Sequence, residues 1–166
     1  MRRALFVLAL GLALAAPRLA LAQASGSQAQ LVYHMTAHLS GASETPGVLT
    51  GAYGMADITV NLATQTVTYT VQVFNMPSGT TAGHFHVGGA GLAGPVVVDI
   101  APPVGASNEF TVSGTATASS LRVRADQGIR SWDDFLQALV GGQVYLNIHS
   151  TVNPGGEIRG QVTVVP

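Results

Sequence analysis

The chain of 166 residues contains no cysteine and no lysine, and only 9% of its residues are charged. Without cysteine it has no disulfide staples, so burial of apolar surface must supply its stability. Its basic residues are seven arginines, and three of them, Arg2, Arg3 and Arg18, lie in the first 18 positions. Beyond residue 24 only Arg122, Arg124, Arg130 and Arg159 face eight acidic residues, a formal charge of −4. A surface without basic clusters excludes nucleic-acid binding through phosphate neutralisation and attraction to anionic membranes. No apolar run approaches the ~20 residues of a bilayer-spanning helix. Dinucleotide fingerprints, phosphate-cradling loops, nucleophile elbows and nucleophilic cysteines are also missing from the sequence.

The N-terminus carries Arg2 and Arg3, then an apolar run of about 13 residues from Ala4 to Ala16, short of a membrane span. Pro17 stops the run, and Ala20, Ala22 and Ala24 follow. This is the pattern of a cleaved signal peptide over residues 1–22, with cleavage after Ala22 or Ala24. The expected localisation is therefore exported, periplasmic or extracellular. Residues 23–30 read as a small, polar leader, and residues 31–166 as one domain.

Within that domain apolar residues recur with period two, as in half-buried strands. In Thr66–Val73, the side chains of Val67, Tyr69, Val71 and Val73 share one face, while threonines and Gln72 take the other. Similar runs cover 31–39, 52–60, 81–87, 95–100, 108–118, 143–149 and 157–164, separated by Gly, Pro, Ser and Asn turn formers. Eight strands at this spacing predict a two-sheet sandwich or flattened barrel. One helix is expected over about 131–140: Ser131 caps it, Asp133 and Asp134 suit its first turn, and Gly141-Gly142 ends it. Trp132, Phe135, Leu136 and Leu139 fall on one face of this helix and read as core.

The strand period also sorts the histidines. His84 and His86 project from one face about 7 Å apart, with Phe85 and Val87 pointing to the core. In the later strand Val144, Leu146 and Ile148 share the core face, and Tyr145, Asn147 and His149 the other. If the two strands are neighbours, His84, His86 and His149 converge, and three neutral imidazoles are a ligand set for copper or zinc. The competing reading is that each histidine bonds turn groups and holds loops. His34 and His38, about 13 Å apart on another strand, read as solvent-facing. Glu44, Glu157 and Arg159 read as a loop clamp, with Arg159 as an anion guide beside a metal the sharper alternative. Asp133 and Asp134 are adjacent helical residues that diverge, so their capping role suffices.

Several stretches together resemble the CHRD domain family. They are Leu39-Ser40-Gly41-Ala42-Ser43-Glu44-Thr45-Pro46 with Thr50-Gly51-Ala52-Tyr53-Gly54, and Ala82-Gly83-His84-Phe85-His86-Val87-Gly88 with Gly94-Pro95-Val96-Val97. The run Leu139–Ser150 and the closing Asn153-Pro154-Gly155-Gly156-Glu157-Ile158-Arg159-Gly160-Gln161 complete the set. Order and spacing agree over residues 31–164; Thr45 and Gly47 stand where the family more often has valine and a second proline. The resemblance implies an all-β, immunoglobulin-like, Greek-key two-sheet sandwich. It brings no catalytic role, so no catalytic residues are expected. The implied function is a non-enzymatic module binding a protein, glycan or envelope component, with Tyr145, Asn147 and the charged trio as supporting residues. The alternative is a periplasmic copper or zinc protein using His84, His86 and His149. The His84–His86 strand, its glycine-rich loop and the terminal Gly…Arg…Gly segment are locally similar to copper–zinc superoxide dismutase. That enzyme's disulfide is impossible here, and a full set of zinc-bridging ligands is absent.

Overall fold

The computed structural model describes residues 31–166; the expected signal peptide and leader lie outside the described residues. The strands are β1 (Val32–Ser40), β2 (Tyr53–Asn61), β3 (Thr66–Met76), β4 (Thr80–Val87), β5 (Val96–Ile100), β6 (Asn108–Ala116), β7 (Val144–Ser150), β8 (Ile158–Gln161) and β9 (Thr163–Val164), with helix α1 (Trp132–Val140) between β6 and β7. All named pairings are antiparallel. They run in the order β5-β4-β7-β8-β1-β2-β3-β6, with β9 on β1.

This order makes two four-stranded halves, β5-β4-β7-β8 and β1-β2-β3-β6. They join at one strand–strand register pair, Ser40 with Arg159. At the far ends the sheet nearly closes, because Leu121 makes an isolated bridge to Val98 of β5. The all-β sandwich or barrel expectation therefore holds. The eighth expected strand divides in two at Val162. Its amide bonds the Val144 carbonyl at 2.9 Å and its side chain is fully buried, so the chain leaves β7 and continues along β1 as β9.

Alternation fills the core: Val67, Val71 and Val73 of β3 are fully buried, as are Phe85, Leu146 and Ile148. Phe85 meets Tyr69 and Phe135 edge-on, at 5.6 and 6.5 Å between ring centroids. The helix is built as its sequence dictates. Ser131 Oγ accepts from the Asp134 amide, and the Asp134 carboxylate accepts from the Ser131 and Arg130 amides. Trp132, Phe135, Leu136 and Leu139 are its buried residues, which places this stripe in the core. Among the described residues no helix is long and apolar enough to cross a membrane.

A three-histidine cluster roofed by loops

Antiparallel pairing of β4 with β7 sets Ala82 opposite His149, His84 opposite Asn147 and His86 opposite Tyr145. The condition for convergence, adjacent strands, is met. His149 lies diagonal to His84, and one ligand atom from each of His84, His86 and His149 falls within 4.8 Å of the others. His84 Nδ1 stands 2.9 Å from His149 Nε2. A shared ion would be ruled out by a separation beyond ~7 Å, given metal–nitrogen bonds of about 2 Å. The observed separation is well inside that limit.

The outer ring nitrogens are all engaged. His86 Nδ1 donates to the Gly94 carbonyl at 2.8 Å, and His149 Nδ1 donates to the Pro154 carbonyl at 2.9 Å. His84 Nε2 faces Asp99 Oδ1 at 3.5 Å, and Arg122 holds the other Asp99 oxygen at 2.6 Å. Carbonyl or carboxylate partners of this kind orient metal-ligating imidazoles and fix their tautomers. Here the carbonyls leave Nε2 of His86 and of His149 as lone pairs, with His84 Nδ1 at hydrogen-bond distance from the latter. Among the described residues, the buried His86 Nε2 has no hydrogen-bond partner. Burial pushes all three imidazoles below their ordinary pKa, His86 to about 4, so they are neutral at pH 7.

Loops close over this face. The Gly94 carbonyl also accepts from the Tyr145 hydroxyl at 3.2 Å, and the Tyr145 ring stacks on His86 at 4.8 Å and 10°. Gly94 has to be glycine, since a Cβ there would run into the Val87 carbonyl. His86 is consequently 9% exposed and His149 8%, although both sit on the side of the sheet away from the main core. His34 and His38 are exposed on β1, as expected.

Arg159, 4% exposed, is a loop clamp. It donates to the carbonyls of Ser43 and Leu92 and to the Thr45 hydroxyl, tying two loops together. Its guanidinium carbon lies 4.5 Å from the centroid of the Tyr145 ring. Glu44 is not a bidentate partner; its nearer oxygen is 4.0 Å from Arg159 Nε, and its other oxygen accepts from Asn147 Nδ2 at 2.6 Å. Glu157, fully buried, accepts from Ser150 at 2.7 Å and Asn153 at 2.6 Å. Burial opposes its ionisation, but these bonds and one from Thr50 hold its carboxyl below the ordinary value.

Glu44 behaves oppositely. Burial raises its carboxyl from 4.5 to about 7, against the pull of Arg159 and Asn147. The folded protein therefore binds this proton more tightly than the unfolded chain, and the group's contribution to stability falls as pH rises through about 7. Glu44→Gln removes that loss. Relative to wild type, the variant is expected to gain stability between about pH 5 and about pH 7.5. Urea midpoints at the two values check it, and a constant difference would contradict the assignment.

Asp99, Arg122 and the carbonyls of Gly94 and Pro154 are the parts of this site that the sequence reading leaves out. The one visible signal is Asp99, a lone carboxylate in the otherwise apolar strand Val96–Ile100, which pairs with His84 in register.

An antiparallel β domain with loops sealed over a histidine-bearing face is the class defined by this geometry. The chain belongs to the CHRD domain family, whose model matches residues 35–162. No curated protein and no solved structure matches it.

Proposed function

We propose that this CHRD protein is an exported metal-binding module that holds one copper or zinc ion between His84, His86 and His149. The observation that carries the reading is the 2.9 Å approach of His84 Nδ1 to His149 Nε2. The bond to Pro154 leaves a lone pair on His149 Nε2, which a proton on His84 Nδ1 can meet. That tautomer turns the bare Nε2 of His84 toward the Asp99 carboxylate at 3.5 Å. A cation between the two nitrogens removes this conflict and suits their spacing, because two nitrogens on one ion at ~2 Å stand about 3–4 Å apart. The ligands come from paired strands, which hold geometry better than loops. Three neutral imidazoles suit zinc and, more tightly, copper(II). Support for export is the charged start, short apolar run and small-residue exit of residues 1–24.

Elemental analysis of the domain purified from its exporting compartment tests this, beside His84→Ala. Near-stoichiometric copper or zinc in the wild type and its loss in the variant is the expected result. No metal in either sample, and none taken up from Cu(II) or Zn(II), would overturn the reading.

A second reading, a module that binds a glycan of the envelope, has one observation in its favour. Tyr53 and Phe74 stack at 5.1 Å and 22° on the outer face of β2 and β3, and Tyr53 is 46% exposed. Aromatic rings combine apolar faces with wet edges, as sugar surfaces require. Retention on insoluble cell-wall polysaccharide, abolished in Tyr53→Ala, is the expected behaviour; equal retention would sink it.

A further inference from the structure

Among the described residues, His86 Nε2 and Asn147 Oδ1 are buried polar atoms of the histidine-bearing face without a hydrogen-bond partner. The first is a ligand of the metal site just proposed. The second is not explained by it. Asn147 is 2% exposed, so bulk solvent does not satisfy its carbonyl oxygen, and orphaned buried acceptors are rare.

Its position is central. Asn147 pairs in register with His84 on one side and Arg159 on the other, and Tyr145 and His149 are its same-face neighbours along β7. Its orientation is set by Glu44, which takes the amide hydrogen from Nδ2 at 2.6 Å. Glu44 follows β1, on the β8 side of β7, while His84 and His86 lie on β4 at the opposite side. With the nitrogen committed to Glu44 on the β8 side, the amide oxygen is left for a different partner. The space is shaped for this bond. Gly156, at φ 141°, would with a Cβ come within 2.6 Å of Asn147 Nδ2 and 2.7 Å of Glu44 Oε1.

We propose that the metal's open position takes a small protic oxygen ligand, water in the resting protein, whose hydrogen is accepted by Asn147 Oδ1. This rests on the metal reading above. Three histidines leave a coordination position free, and a metal-bound water needs an acceptor for its hydrogen. Ligands of similar size without a hydrogen meet only the carbonyl lone pair. The site therefore selects water, hydroxide or a hydroperoxide over azide-like anions, with Asn147 as a positioning residue.

The test loads the wild type and Asn147→Leu with Cu(II) alone, measures copper stoichiometry, and titrates azide through its charge-transfer band. Both proteins are expected to hold one copper. Azide is expected to bind the variant about 5-fold tighter, because the water it displaces has lost one hydrogen bond. Equal azide affinity at full copper loading overturns this inference and leaves the metal reading standing. A wild type that takes up no copper overturns both. Should Asn147→Leu fail to fold, electron–nuclear double resonance on the copper-loaded wild type tests for the protic ligand that the inference requires. A strongly coupled proton that exchanges in D2O is expected, and its absence overturns the inference.

Discussion

Saturating copper is expected to raise the unfolding free energy of the wild-type domain by about 4 kcal/mol when free metal stands ~1,000-fold above Kd. For a domain of this size that is a rise in Tm on the order of 10 °C. The same addition should leave His86→Ala unmoved. The reasoning is linkage: an ion held by three nitrogens from β4 and β7 binds the folded arrangement, and the unfolded chain offers no such triad. His86 is the informative position because its Nε2 has no hydrogen-bond partner among the described residues. His86→Ala also forfeits the bond to Gly94 and the stack on Tyr145, so its melting point without metal falls too. The metal-induced shift is therefore the quantity to compare. Coincident wild-type melting curves with and without copper would count against the site. A shift retained in His86→Ala would place the metal elsewhere.

Arg159→Leu is expected to cost about 3–5 kcal/mol, the range for breaking a buried charge arrangement by removing one member. The leucine fills part of the space, but the carbonyls of Ser43 and Leu92 lose this donor and the Glu44 carboxylate loses the Arg159 cation 4.0 Å away. Adding Glu44→Gln should recover part of the loss, because a neutral carboxamide then stands where the carboxylate would be left without its cation. Denaturant midpoints of the four proteins in that double-mutant cycle supply the coupling. A single-variant cost below about 1 kcal/mol would show that the clamp is ornamental.

Much of this architecture is legible along the chain, for reasons visible in particular residues. Period-two alternation from Thr66 to Val73 leaves no ambiguity about which side is buried, and the Ser131 cap with Trp132, Phe135, Leu136 and Leu139 leaves none about the helix. The common face of His84 and His86 follows from the same period. Four things do not follow. Adjacency of β4 and β7 is a long-range choice, since 65 residues separate His84 from His149, and no local pattern specifies it. The burial of all seven residues of β7 contradicts a simple one-face reading, because the roofing loops carry no periodicity. The division of the last strand at Val162 is equally silent, as alternation continues through Gln161, Val162 and Thr163. The carbonyls that orient His86 and His149 are backbone atoms, which no residue type announces.

The near-closure of the sheet has a consequence for how the protein keeps to itself. An open strand edge invites a second chain to add on, and proteins commonly discourage this with lysine. This chain has none. It instead folds its own segment after β6 back onto β5, where the Arg122 amide bonds the Val97 carbonyl at 2.8 Å and Leu121 bridges Val98. The Asp99–Arg122 pair sits at the same place, so the group that orients His84 also helps hold this cover down. The cover over the β5 edge and the geometry of the histidine cluster thus share one short piece of backbone.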